Sequence, residues 1–431
     1  MTSTYPDDGA QALEYLAAAR RQASQLPEAL RAEPIEIRRA AVIGAGTMGV
    51  GIAIALLEAD VAVVLLDQNG PAVEQGRLRI AQHYERRVST GKMTGELAAR
   101  RQSVLAATPD WGCLADVDLV IEAVYEDLAV KQDVFRQIDA SARPGAILAS
   151  NTSYLDVDEI ARVTRRPQDV LGLHFFSPAH VMKLLEVVRA AQTSSVALAT
   201  GMALGTRLGK TTVLASNAFG FIGNRIYNAY RRECEFMLED GAWPEDVDRA
   251  LTALGFAMGP FAVADLSGLD IAWRMRRAQA ATRHPDERYV SILDHLCEQG
   301  RLGRKAGAGY YVYADGQAVS STDAVVRGLI EQASAQRGIV RRPLAPEVIQ
   351  RRALLAMVNE AALLLAQGVA LRPGDVDAVL VDGYGFPKKL GGPVFWARQQ
   401  AADRLETDLR ALGESTGHGF VRADLSVLSN D

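Results

Sequence analysis

An imidazole and a carboxylate twelve residues apart, His174 and Glu186, are the side chains of this chain best suited to proton chemistry. His174 sits at the end of the apolar run 170–175, and Glu186 lies inside Leu184-Leu185-Glu186-Val187-Val188. A carboxylate in the middle of such a run needs a partner, because burying it alone is costly. On neighbouring strands the two would meet, giving a base for a hydroxyl proton and an anion to hold the imidazolium. Spacing alone leaves open a core histidine with satisfied nitrogens and an edge-strand glutamate facing water. Two further segments converge on the same sheet edge, Ser150-Asn151-Thr152-Ser153 and Phe219-Gly220-Phe221-Ile222-Gly223-Asn224-Arg225. Ser153 and Asn224 can hydrogen-bond a substrate oxygen, although Ser, Asn and Gly serve equally as caps and turns.

A partner reaction for that proton is suggested nearer the N-terminus. The short apolar strand 38–43 is followed by Gly44-Ala45-Gly46-Thr47-Met48-Gly49, a helix over 50–58, a second apolar strand over 61–66 and Asp67. Strand, glycine turn, helix, strand and acid form the dinucleotide fingerprint. The helix N-terminus offers unpaired N–H groups to a pyrophosphate. Three glycines at this spacing are weak evidence in a chain holding 37 of them. Asp67, 18 residues beyond Gly49 at a strand end, makes the pattern strong and argues against an ordinary glycine-rich turn. Its carboxylate suits a free ribose diol and repels a 2′-phosphate, and Gln68-Asn69 adds no cation, so NAD is expected over NADP. Gly209-Lys210-Thr211 invites a phosphate-loop reading, but Leu204 occupies the position five before Gly209 and the reading fails.

Composition narrows the class. The length of 431 residues allows two to four domains, and 48% hydrophobic with 23% charged residues suits a large buried core. A net charge of −5 gives no sign of a nucleic-acid surface. Cys113, Cys234 and Cys297 have neither metal-ligand spacing nor the makings of a disulfide framework, so no metal site is expected and a reducing cytoplasm fits them. Neither a signal peptide nor an apolar run long enough to span a membrane is visible, and the last residues are not a peroxisomal address. Of 47 basic residues only seven are lysines, which makes each lysine worth inspection.

The positioning elements follow from the periodicity. Strands expected over 119–121, 146–149, 170–175, 184–188 and 211–214 alternate with helical segments, the pattern of an α/β doubly wound sheet. Beyond Asn217 the chain reads as helical and repeats itself. Glu233, Gly241, Asp246-Val247-Asp248, Gly255-Phe256 and Gly259-Pro260 recur as Glu360, Gly368, Asp375-Val376-Asp377, Gly385-Phe386 and Gly392-Pro393. Such units can bury their apolar stripes on each other. The expected organisation is a linker-like helical segment over 1–37, a Rossmann-like NAD-binding domain over 38–216, a helical domain over 217–318, a linker over 319–344 and a second helical domain over 345–431.

Three long strings carry a resemblance: 174–186 (His174-Phe175-Phe176-Ser177-Pro178 through Leu185-Glu186), 219–225, and Gly303-Arg304-Lys305-Ala306-Gly307-Ala308-Gly309-Tyr310. Over about residues 38–400 the chain resembles the L-3-hydroxyacyl-CoA dehydrogenases, above all the dehydrogenase part of the multifunctional β-oxidation enzymes of the peroxisomal bifunctional type. The resemblance implies NAD-dependent oxidation of an L-3-hydroxyacyl-CoA, or its reverse. It makes His174 the general base, Glu186 its partner, and Ser153 and Asn224 the holders of the substrate's 3-oxygen. Gly44, Gly46, Thr47, Met48, Gly49, Asp67 and Gln68 would hold the cofactor, with Glu126, Lys131 and Asn151 near the rest of it. Without the family, Glu126 reads as a helix N-terminal acid and Lys131 as a solvated lysine. Arg86 and Lys92 are candidates for the CoA phosphates, and equally for a solvated helix face.

Departures from the family pattern shape the remaining expectations. The hydratase module that precedes this part in the multifunctional enzymes is not found, so a separate enoyl-CoA hydratase or thiolase is a candidate partner. In the second helical copy Arg351 stands where Asn224 stands in the first, which implies a structural role for that copy. Single-copy relatives dimerise through the helical unit, so a chain with two copies is expected to be a monomer. The alternatives are a different 3-hydroxy acid or carrier-bound acyl substrate, and a non-catalytic NAD-binding subunit that docks a hydratase or thiolase.

Overall fold

The computed structural model describes residues 9–281, 283–320 and 323–429, divided between two compact units. The first unit takes in residues up to Arg225 together with Leu364–Tyr384. Its frame is one eight-stranded sheet. The strands are β1 (Arg39–Ile43), β2 (Ala62–Leu66), β3 (Leu105–Thr108), β4 (Leu119–Glu122), β5 (Ile147–Ser150), β6 (Val170–Phe175), β7 (Leu184–Arg189) and β8 (Thr211–Ser216). Their order is β3-β2-β1-β4-β5-β6-β7-β8. β1 to β6 are parallel, β7 runs antiparallel to β6, and β8 is parallel to β7. Helices on both faces bury these strands, which is why they read as near-continuous apolar runs rather than alternating ones. β3, only partly buried at the edge, was not among the expected strands: Leu105-Ala106-Ala107-Thr108 is short and carries no Val, Ile or aromatic side chain to mark a strand.

The N-terminal helix Gly9–Ala23 buries Ala12, Leu16, Ala19 and Ala23 and packs on the helix Pro373–Tyr384 and on β8. Polar bonds fix that packing: Tyr15 Oη donates to Asp377 at 2.7 Å, and Arg20 grips Asp382 with two bonds of 2.7 and 2.6 Å. Asp382 also accepts from Thr211 Oγ1 of β8 at 2.7 Å.

The second unit, Ile226–Leu363 with Gly385–Ser429, is mostly helical, with one two-stranded antiparallel ribbon, Val312–Ala314 and Gln317–Ser320. Most of its two long helices, Gly223–Asp240 and Pro346–Ala366, lies here, crosslinked by Arg352 to Glu233 at 2.6 Å and Asp240 at 2.7 Å. The order of a long, a medium and a short helix in the first copy (Gly223–Asp240, Pro244–Leu254, Pro260–Ser267) recurs in the second (Pro346–Ala366, Pro373–Tyr384, Pro393–Arg398). In the first copy, buried Asp248 accepts the N–H groups of Phe261 and Ala262 at the start of the short helix, 3.0 Å each. Asp265 accepts those of Tyr310 and Tyr311, 2.9 Å each. A side chain at Gly309 would collide with that carboxylate, which explains a glycine in the Gly303–Tyr310 string. The stretch expected to be a linker over 319–344 instead holds the helix Ala324–Gln336, with Val326, Ile330 and Ala333 buried. Its polar and Gly/Ser content masked that one-sided spacing.

No helix among the described residues is long and apolar enough to cross a membrane.

Candidate active site

His174 and Glu186 are direct cross-strand partners where β6 meets antiparallel β7. Nδ1 of His174 lies 2.7 Å from Oε2 of Glu186, and both side chains are buried. The core-histidine and edge-glutamate alternative therefore fails. Oε1 of Glu186 accepts the backbone N–H groups of Ile222 and Gly223, 3.1 Å each. Those donors face it because the chain turns through two successive left-handed residues, Gly220 (φ 75°) and Phe221 (φ 48°), just before the helix Gly223–Asp240. Successive N–H groups aimed at one point, at a helix N-terminus, satisfy a buried carboxylate without a cation. Both oxygens of Glu186 thus act as acceptors, which assigns the proton of the pair to Nδ1 and leaves Nε2 as the acceptor. Nε2 has no protein partner among the described residues. The rings of Phe176 and Phe221 hold the imidazole at centroid distances of 4.4 and 5.5 Å.

Ser153 and Asn224 meet: Nδ2 of Asn224 donates to the Ser153 carbonyl oxygen at 3.4 Å, and Oδ1 accepts from Tyr384 Oη at 2.8 Å. The Ser153 hydroxyl makes no hydrogen bond to any described residue. Its backbone N–H is held by Glu126 Oε1 at 2.8 Å, along with Thr152 Oγ1 at 2.6 Å and Tyr154 N–H at 3.1 Å. Glu126 is therefore the anchor of the 152–154 loop, and Asp127, not Glu126, caps the helix Leu128–Ser141. Lys131 is buried rather than solvated, with Nζ 2.6 Å from Glu122 Oε1 and 3.4 Å from Glu126 Oε2. Glu122, at the end of β4, also takes Ser150 Oγ at 2.6 Å and Val124 N–H at 2.7 Å. One carboxylate and one ammonium thus tie together the ends of β4 and β5.

The glycine turn fits a dinucleotide. Gly44 adopts φ 101°, and a Cβ there would press on the Ala123 carbonyl oxygen at 2.7 Å. A Cβ on Gly49 would strike the Gly44 carbonyl. A Cβ on Gly46 would meet no protein atom within 4 Å, so nothing within the chain demands a glycine there and the backbone is left open to a ligand. The helix Thr47–Glu58 begins with no side-chain cap, leaving its first N–H groups to an incoming phosphate. Asp67 follows β2 and spends one bond on each oxygen, to Ala45 N–H at 2.9 Å and Asn69 N–H at 3.0 Å. A carboxylate has about four acceptor positions, so two remain for a ribose diol. The turn lies beside the β1/β4 junction where the strand order reverses, the place ligands occupy in open α/β sheets.

Thr47 and Met48 open the glycine-turn helix, and exposed Gln68 follows Asp67. Asn151 is buried, its Oδ1 accepting Phe175 N–H at 2.9 Å, so it couples the end of β5 to that of β6. Arg86 and Lys92 are not brought to this group. They are exposed near the C-terminal end of the helix Gly70–Ser89, where neighbouring Arg87 is bound to Glu58 at the far end of the glycine-turn helix. Four residues escaped the sequence reading. Glu122 and Tyr384 are described above. Arg79 donates to the Ala45 carbonyl of the glycine turn, and Lys210 donates to the carbonyls of Ala179 and Met182, 2.7 Å each, tethering the β6–β7 connection. The rarity of lysine pointed at Lys210, as did the Gly209-Lys210-Thr211 string, whose phosphate-loop reading led elsewhere.

An oxidoreductase that moves hydride to or from NAD is the class this fold and site define. The 3-hydroxyacyl-CoA dehydrogenase NAD binding domain matches residues 39–218, and the C-terminal domain of the same family matches 220–313. The chain is 40% identical over 422 residues to the peroxisomal bifunctional enzyme of Danio rerio, covering 94% of this chain and 58% of that protein. It thus spans little more than half the length of that relative. Among solved structures, FadB2 of M. tuberculosis is 40% identical with a TM-score of 0.60, over 65% of this chain and 100% of that one. The 3-hydroxybutyryl-CoA dehydrogenase of Escherichia coli is 27% identical with a TM-score of 0.78, over 91% of this chain and 98% of that one. The chain belongs to the 3-hydroxyacyl-CoA dehydrogenase family, and NAD is its cofactor.

Proposed function

We propose that this chain oxidises L-3-hydroxyacyl-CoA to 3-ketoacyl-CoA, or runs the reverse, with His174 as the base. The observation that carries the reading is the 2.7 Å bond between Nδ1 and Glu186, with Nε2 left without a protein partner among the described residues. Nε2 takes the hydroxyl proton, and Glu186 holds Nδ1–H and offsets the charge that develops on the ring. Positioned acid–base groups of this kind are worth about 10²–10⁴-fold. The Ser153 hydroxyl and the Asn224 amide hold the 3-oxygen. Asp67 accepts from the adenine ribose, while Gly46 and the uncapped helix N-terminus receive the pyrophosphate. Glu126 and Lys131 shape the floor near the other ribose. Bound NAD supplies the hydride acceptor. Arg86, near the end of the helix Gly70–Ser89, and Lys92, just beyond it, are both exposed and stay candidates for the CoA phosphates only.

The two helical copies support a monomer, which size-exclusion chromatography with light scattering would test. A hydratase is the natural source of the hydroxyacyl thioester, and the free thiols of Cys113, Cys234 and Cys297 support a reducing compartment such as the cytoplasm. The deciding experiment follows NADH absorbance with acetoacetyl-CoA and longer 3-ketoacyl-CoAs, against the free acids. Saturable NADH consumption with the CoA esters is expected. A protein inert towards every thioester, yet binding NADH, would end the reading in favour of a non-catalytic subunit.

A further inference from the structure

Tyr384 ends the helix Pro373–Tyr384, part of the second helical copy, yet it belongs to the same compact unit as the site. Its phenol reaches Asn224 Oδ1 at 2.8 Å, 160 residues away in sequence. We infer that Tyr384 is a positioning residue for the hydroxyacyl-CoA reaction, holding the Asn224 amide in place beside the substrate; the inference rests on the function proposed above.

An amide side chain has two orientations that exchange a donor for an acceptor. The Ser153 carbonyl can only accept, so the NH₂ end of Asn224 turns towards it, but that bond is long, 3.4 Å. Oδ1 then faces Tyr384, whose hydroxyl donates to it. The two contacts together leave the second amide N–H to donate to the substrate's 3-oxygen. The Ser153 carbonyl sets the orientation and the phenol restrains the amide from its other end; without the phenol, the long bond to Ser153 alone would hold it in place.

The ring contributes along a second line. It meets Phe176 edge-on, with centroids 5.5 Å apart and planes at 78°, and Phe176 lies against His174. The close approach is built in: a Cβ on Gly223 would run into the Tyr384 ring, which accounts for a glycine at the start of that helix. Two residues earlier Asp382 is pinned to Thr211 of β8 and to Arg20. The helix end that carries Tyr384 is thereby fixed to the sheet that carries His174.

The test uses the full chain with acetoacetyl-CoA and NADH. Tyr384→Phe keeps the ring and should lower kcat/KM for acetoacetyl-CoA about twofold to tenfold, the worth of one neutral hydrogen bond. NADH affinity, read by fluorescence titration, should not change. In an Asn224→Ala background the same substitution should cost nothing further, because the group it positions is gone. Tyr384→Leu, which also removes the prop on Phe176, should cost more than Tyr384→Phe. An active wild type with an equally active Tyr384→Phe variant overturns the inference. So does a loss of the same size with and without Asn224. A wild type inert towards all 3-ketoacyl-CoAs removes the functional reading itself, and this inference with it.

Discussion

Two buried carboxylates, each with a nitrogen partner, stand at strand ends of the same sheet, and they do opposite work. Glu122 and Lys131 close the ends of β4 and β5; His174 and Glu186 close those of β6 and β7. Each takes a carboxylate out of water, and each meets that cost with a charged or chargeable partner and backbone N–H donors. The partners differ. The ammonium of Lys131 is turned wholly inward, to Glu122, Glu126 and the Val124 carbonyl. The imidazole spends one nitrogen on Glu186 and keeps the other for an outside proton. Imidazole is also the side chain whose charge changes near neutral pH. Burial of a pair makes scaffold; burial of a pair with one atom held back leaves an acceptor for the proton that the proposed reaction releases.

Replacing His174 with Ala should break the second pair most visibly, lowering kcat about 10²–10⁴-fold while NAD affinity stays within twofold to threefold. Glu186→Gln should reproduce part of that loss in kcat. Stopped-flow NADH absorbance separates the hydride step from product release, and a His174→Ala variant with wild-type single-turnover rates would refute the assignment. Lys131→Met should act on the fold instead, leaving Glu122 buried without its cation and lowering stability by about 3–5 kcal/mol in urea unfolding. The double variant Glu122→Met/Lys131→Met should recover much of that loss, since no lone charge remains. A single variant as stable as wild type would show the pair to be dispensable. Smaller again is the effect expected at Asp67, where two acceptor positions remain for the ribose. Asp67→Ala should raise the KM for NAD about tenfold or more and narrow the preference over NADP. An unchanged ratio of kcat/KM for the two cofactors would count against this role.

How far each pair could be read from the sequence follows from what sets it. Apolar runs around His174 and Glu186 made two strands visible, and a strand end in an α/β sheet is where ligands gather, so the place was legible, while the role of base came only from the family resemblance. Whether the two strands were neighbours was not, since no local pattern fixes an antiparallel pairing across an eight-residue connection (176–183). Lys131 read as solvated because its burial depends on Glu122, nine residues earlier and at the end of a strand. Glycine spacing and Asp67 exposed the dinucleotide turn, whereas Arg79 looks like any arginine on a polar helix. Tyr384 lay furthest from view: the repeat marked its helix as structural, and only tertiary packing carries it to Asn224.

Lys210 sharpens the comparison from a third side, as a half-buried ammonium in the same unit held by two carbonyls and the face of the Phe175 ring, with no carboxylate. With no carboxylate to offset it, burial lowers its pKa to about 8 from 10.5, and the nearby charge of Lys183 pushes the same way. The sign of the linkage follows. Below about pH 8 folded and unfolded chains both carry the proton, and the cost of burying the charge is constant. Between about 8 and 10.5 the folded chain has released a proton that the unfolded chain keeps, so this group's contribution to stability rises with pH. Wild type and Lys210→Met, unfolded in urea at a series of pH values, should therefore differ by a constant amount up to about pH 8. The wild type should then gain on the variant, by on the order of 1 kcal/mol once partial exposure is allowed for. A difference that stays flat through this window, or turns against the wild type, would mean that the two carbonyls satisfy the ammonium as fully as Glu122 satisfies Lys131. The tether between β6 and β7 would then be insensitive to pH.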